Sequence, residues 1–192
     1  ETTTFQRAFV NGRVGGVKVE AGRNNISLLG GEIYSTRGDR LKLTYGKDIT
    51  LAVEGGKMAN GTGISDATKT CVGEEYYAAT LAGKVGKLGL ELTYVDYDDD
   101  ATLKDDNNIW ALAANYRFDQ DWAVRAAYLK GDVDDKAVTD GDDGYYVGVN
   151  YKGAKAAKAG TWGLYATYYD LAASTYISNG WESSVANKLR KE

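Results

Sequence analysis

Histidine is absent from this 192-residue sequence. Without it the chain cannot build a Ser-His-Asp triad, a Cys-His dyad or a His-bearing zinc site. Cysteine is almost absent: Cys71 is the only one, so no disulfide framework forms within one chain. It lies in the polar stretch "DATKTCVGEE" (66–75) with no base beside it. There is no basic surplus, since 23 Lys and Arg face 27 Asp and Glu for a net charge of −4. The cations are dispersed along the chain, which argues against nucleic acid as a partner. No run approaches the roughly 18 apolar residues of a membrane helix. That excludes helical spanning only, because barrel strands carry a far weaker hydropathy signal. "GKMANGTG" (56–63) lacks the order of a phosphate loop, and "GKVGKLG" (83–89) reads as a turn. Neither enzymatic chemistry nor a cofactor is expected.

What the chain does have is 24 Gly and 15 Tyr, together with no Pro. Aromatics suit a pleated surface and Gly accepts positive φ, so this composition favours strands joined by turns. The stretch "NNIWALAANYRFDQDWAVRAAYLKGD" (107–132) tests the idea. Its alanines favour helix. Counted by twos, however, Trp110, Leu112, Ala114, Tyr116 and Phe118 form an unbroken apolar series, with Ala111, Ala113, Asn115 and Arg117 between. After "DQD" (119–121), Trp122, Val124, Ala126 and Tyr128 repeat it, with Ala123, Arg125 and Ala127 between. A three-residue loop would pair Phe118 with Trp122 and put both apolar rows on one face. A helix leaves Arg117 and Arg125 unexplained, so the period-2 reading is preferred.

The same alternation recurs at 40–45, 50–56, 75–83, 87–94, 145–152 and 161–169, and less cleanly near 14–21 and 26–34. That makes about ten strands in a single domain, residues 1–192. Short turns at 46–49, 83–86 and 119–121, and a longer one at 153–160, alternate with long polar loops at 57–75, 96–107, 131–144 and from 170 onward. This asymmetry describes an all-β, antiparallel up-and-down sheet and suits a transmembrane β-barrel. A soluble β-sandwich or lipocalin-like barrel remains the alternative, since alternation alone does not say which face is wet. Aromatic placement favours the membrane. Trp110 and Phe118, Trp122 and Tyr128, Tyr145 and Tyr151, and Trp162 and Tyr168 bracket rows of smaller apolar residues, as a lipid-facing girdle would. Six to eight strand residues tilted by roughly 40° cover about 16–21 Å along a barrel axis.

On that reading Arg40, Lys42, Glu54, Glu91, Arg117, Arg125 and Lys152, which share the polar parity, line a pore. Opposed charges across a water-filled lumen select solutes by size and charge. A solvated outer face, or a narrow barrel whose interior charges pair and close it, would produce the same pattern. The loops "DYDDDATLKDDN" (96–107) and "DVDDKAVTDGDD" (132–143) each hold six Asp. Asp96, Asp98 and Asp100 occupy positions 1, 3 and 5 of a calcium loop, but Ala101 replaces the required Gly and Asn107 the required Glu. They are weak metal candidates. Solvated loops or a cation-attracting vestibule are the available readings.

The segments "LKLTYGKDITLAVEGGK" (41–57), "NYRFDQDWAVRAAYLKGD" (115–132) and "GTWGLYATYYDLAASTYI" (160–177) give the chain a resemblance. It resembles the barrel domain of outer-membrane porins of diderm Firmicutes, the OmpM type anchored by an S-layer-homology domain. The likeness implies a homotrimer of barrels of about sixteen strands in the bacterial outer membrane, passing small hydrophilic solutes. It implies contact with outer-membrane lipid, and with peptidoglycan only through a domain outside this chain. The chain starts at "ETTTFQ" without Met or leader, so it is expected to be a mature or partial segment of a longer protein. A non-conducting structural or adhesive barrel with ion-binding acidic loops is the second function to weigh, and a soluble β-sandwich binding module the third.

Overall fold

A computed structural model of the chain describes residues 6–58, 75–98, 106–132, 141–155 and 157–177. These form ten strands: β1 (Ala8–Val14), β2 (Val17–Leu28), β3 (Tyr34–Gly46), β4 (Ile49–Met58), β5 (Glu75–Val85), β6 (Leu88–Asp98), β7 (Asp106–Arg117), β8 (Trp122–Asp132), β9 (Asp143–Lys152) and β10 (Gly163–Leu171). Each pairs antiparallel with its sequence neighbour in one ten-stranded sheet. A sandwich requires two packed sheets, so the β-sandwich alternative does not describe this fold.

The 107–132 stretch is a hairpin. Arg117 pairs with Ala123, and the Phe118 N–H donates to the Trp122 carbonyl at 3.0 Å. Asp119 closes the turn, because its Oδ1 accepts the N–H groups of Asp121 and Trp122, both at 2.8 Å. An Asp side chain that bonds its own backbone two and three residues on mimics a turn and fixes it.

Two early boundaries differ from the sequence reading. The segment expected near 14–21 is divided by Gly15 and Gly16, whose φ values of 56° and 87° suit a tight turn between β1 and β2. The segment expected near 26–34 is not one strand. β2 ends at Leu28, and a short 3-10 turn spans Leu29–Gly31, with Leu29 itself at a φ of 51°. Strands also run further into the acidic stretches than expected. Asp96 and Asp98 belong to β6, which leaves them on a strand instead of a calcium loop. Asp100 and Cys71 lie outside the described residues.

The sheet is curled so that its two faces meet different surroundings. On the convex face Leu41, Leu51, Leu81, Leu92, Leu112 and Leu164 are exposed. On the concave face Ile26, Tyr34, Tyr76, Val95, Ile109 and Leu129 are fully buried and form one cluster near the long-loop end. Each of the aliphatic side chains among them contributes roughly 1.5–3 kcal/mol relative to exposure. Segments 29–33 and 172–177 close over this cluster, and the Ile177 N–H reaches the Ile33 carbonyl at 2.9 Å. The inner face is therefore not polar along its whole length, as alternation alone implied. Its loop-end half is an apolar core.

Asp119 makes the hairpin turn sensitive to acid. Its carboxyl titrates below the ordinary Asp range, because the Trp122 and Asp121 amides donate to the charged form. The turn's contribution is thus fully present above the ordinary range and lost as pH falls through the lower folded value. Asp119→Ala should lower resistance to unfolding at neutral pH and flatten its decline on acidification. Urea titrations at several pH values measure both effects.

Candidate functional site

Strand alternation sends Arg40 and Lys42 of β3 and Glu54 of β4 to the concave face, where register sets Lys42 opposite Glu54. The Arg40 Nη1 donates to Glu54 Oε2 at 2.9 Å, and Lys42 Nζ lies 3.5 Å from the same oxygen. The other arm of Arg40 pairs with Glu20 of β2. The Arg40 and Glu54 side chains are only 8% and 3% exposed. Two cations and two carboxylates thus form a compact network in which Arg40, Glu20 and Glu54 are enclosed and depend on one another, while Lys42 stays partly exposed.

Arg125 of β8 anchors a second network. Its Nη1 donates to Glu32 Oε1 at 3.1 Å and its Nη2 to Thr167 Oγ1 at 3.1 Å. The Tyr169 hydroxyl also donates to Glu32 Oε1 at 3.3 Å, and the guanidinium lies 5.5 Å from the Tyr146 ring centroid. Glu32 comes from the 29–33 segment between β2 and β3, so this pair bridges the concavity from one wall to the other. Gly148 gives Arg125 its place. A Cβ there would sit 2.8 Å from Arg125 Nε and 2.9 Å from Thr167 Oγ1.

The seven expected pore residues therefore separate. Arg40, Lys42 and Glu54 come together. Arg125 lies in the bridging network, and Glu91 stands apart with Thr93, whose hydroxyl donates to it at 3.2 Å. Arg117 and Lys152 sit at the short-turn rim. Lys152 departs from the inward expectation, because its φ of 57° breaks the strand at its last residue. Its Nζ lies 5.1 and 5.0 Å from the ring centroids of Tyr151 and Trp162.

Sequence reasoning missed Glu20 and Glu32. Glu20 alternates with Val19 and Ala21 and was legible in principle. Glu32, in "LGGEIY", has no periodic signal, since a turn and not a strand positions it.

The expected girdle residues all fall on the convex face, in two rows. Phe118, Trp122, Tyr151 and Trp162 form the short-turn row, with ring centroids 4.5 Å apart for Trp122 and Tyr151 and 5.6 Å for Tyr151 and Trp162. Trp110, Tyr128, Tyr145 and Tyr168 form the long-loop row, joined by Tyr94 at 4.6 Å from Trp110. Beyond this second row the surface turns polar. Arg23 pairs with Asp39, Lys57 with Glu75, and Lys130 with Asp142. Asp96 accepts the Tyr94 hydroxyl at 3.2 Å. Among the described residues no three acidic or other ligating groups converge on a metal position.

No family model matches this chain, and no curated protein matches it. Among solved structures it is similar to OmpTdeltaL8, the loop L8 deletion mutant of OmpT, an outer membrane protein of Vibrio cholerae. The identity is 17% and the TM-score 0.48, over 83% of this chain and 54% of that one. The chain spans about half the length of that protein.

Removing Arg40 should be costly, because it leaves the enclosed Glu20 and Glu54 carboxylates with only Lys42, 3.5 Å from Glu54, to offset them. Arg40→Met is expected to reduce the free energy of unfolding by about 3–5 kcal/mol. Adding Glu54→Leu should recover part of the loss. A loss below about 1 kcal/mol in the single variant would contradict the burial of the network.

Proposed function

We propose that the chain forms the wall of an outer-membrane porin, a β-barrel through which small hydrophilic solutes and ions diffuse. The observation that carries the reading is the placement of apolar and charged residues on opposite faces. Leu112 is 56% exposed on the convex side while Arg40 and Glu54 are enclosed on the concave side. Water penalises a broad exposed band of Leu, Val, Trp and Tyr, whereas hydrocarbon accepts it. The two aromatic rows bounding the band match the interfacial preference of Trp and Tyr, whose rings are apolar and whose edges are polar.

Within this reading the Arg40 and Arg125 networks set the electrostatics of the passage, since they place both signs of charge at mid-height on facing walls. Glu91 and Lys42 extend the polar strip toward the short-turn end. The acidic loop ends raise the local cation concentration. Assembly as a homotrimer belongs to the same proposal. Peptidoglycan contact would belong to a domain outside these 192 residues.

A second reading is favoured by one specific feature. The apolar cluster and the pinned 29–33 segment fill the loop-end half of the concave face, as a non-conducting structural barrel would require. Planar-bilayer recording separates the two. Steady ohmic steps, with ion selectivity altered by Arg125→Ala, support the porin; silence from correctly folded protein supports the structural barrel. On either membrane reading Leu112→Lys should cost about 2–4 kcal/mol, because it places a charge near mid-bilayer. Reversible unfolding from lipid vesicles measures that cost, and a neutral effect would argue against lipid contact.

A further inference from the structure

The short-turn rim carries a feature that the diffusion reading does not use. A cleft of about 720 Å³ opens between the 119–121 turn and residues 153–155 and 158–162. Arg117, Lys152, Lys155 and Lys158 line it, against only Asp119 and Asp121 of opposite sign. This local excess of cations occurs in a chain whose net charge is −4. Asp119 is already engaged by two backbone amides of its own turn.

The walls are fixed, not loose. Thr161 Oγ1 accepts the Lys155 N–H at 2.8 Å and donates to the Lys158 carbonyl at 2.8 Å, while the Lys158 N–H donates to the Lys155 carbonyl at 2.9 Å. One hydroxyl therefore sets the backbone of both lysines. Across the cleft, the Lys152 N–H donates to the Asp121 carbonyl at 2.6 Å, which ties β9 to the opposing turn. Lys152 holds a φ of 57°, a conformation that side-chain-bearing residues rarely adopt. Such strain persists where surrounding structure imposes it, and it collects at binding sites. Here it carries the Lys152 ammonium onto the Trp162 ring, and Trp162 and Trp122 complete the lining.

We propose that this cleft binds a phosphate-bearing anion through Arg117, Lys152, Lys155 and Lys158. A phosphate monoester fits better than a carboxylate because it offers more acceptor oxygens and more charge to converging donors, and a phosphodiester, with a single charge, still presents its oxygens tetrahedrally to donors on several sides. The volume exceeds what the phosphate alone fills and leaves room for an organic portion against the indoles. A lipid headgroup at the membrane interface and a free phosphate ester share this chemistry. The site stands whether or not the lumen conducts.

Isothermal titration of the full 192-residue chain, folded in zwitterionic detergent, tests the proposal with three probes: inorganic phosphate, short-chain phosphatidylglycerol and short-chain phosphatidylcholine. Binding of phosphatidylglycerol but not phosphatidylcholine assigns a lipid headgroup, and binding of inorganic phosphate alone assigns a free anion. In either case the Lys155→Gln and Lys158→Gln double variant should bind about tenfold more weakly or worse. Asp121→Asn removes an opposing carboxylate and should bind more tightly, which keeps the test independent of any folding defect in the double variant. Failure of both anionic probes to bind, equal binding of phosphatidylcholine, or unchanged affinity in both variants would overturn the site.

Discussion

A strand must send successive side chains to opposite faces, and everything else in this structure follows from how nine ladders keep that alternation in step. Register carries one convex row through Leu51, Leu81, Leu92, Leu112, Tyr128 and Tyr145 across six adjacent strands. The matching concave row runs Ala52, Thr80, Thr93, Ala111 and Leu129. A slip of one residue between β3 and β4 would put Glu54 into the apolar row and Leu51 into the concave one. Alternation is thus both the folding rule and the source of the apolar convex face and the charged concave one.

The concave face has its own division, and the charges explain it. An Arg or Glu taken from water needs a partner within hydrogen-bond reach, or its burial costs several kcal/mol. Arg40 has Glu20 and Glu54, and Arg125 has Glu32. These networks separate the apolar cluster near the long loops from the open, basic rim at the short turns. Glu32 is decisive because its segment crosses the concavity to reach Arg125. A single turn thereby holds opposite walls of the curled sheet together, where strand pairing between β1 and β10 does not. Glycine makes the arrangement possible at Gly148, whose missing Cβ leaves space for the guanidinium.

Much of this was legible in the residues. The hairpin at Phe118 and Trp122 followed from alternation across "DQD", and the convex aromatics from the same count. Most of what the sequence hid depended on backbone that is not strand. Gly15 and Gly16 divide what looked like one weak strand, and the 29–31 turn ends another, so the first two boundaries were misplaced. Parity gave the face of Arg40, Lys42 and Glu54 but not their pairing, because the register between neighbouring strands decides which side chains on one face meet. It failed at Lys152, where one positive φ redirects the side chain. Ile26, Tyr34 and Ile109 lie on the parity assigned to water, yet they pack together once the 29–33 and 172–177 segments close over them.

On the proposed reading the convex row meets hydrocarbon and the concave row does not. Spin labels placed singly at positions 110–118 in a Cys71→Ala background, in lipid vesicles, measure this through their accessibility to oxygen and to a water-soluble nickel chelate. High oxygen accessibility is expected at 112, 114 and 116 and low values at 111, 113 and 115, alternating with a period of two. Uniform accessibility to the nickel chelate on the convex positions, or oxygen maxima at the concave ones, would contradict it.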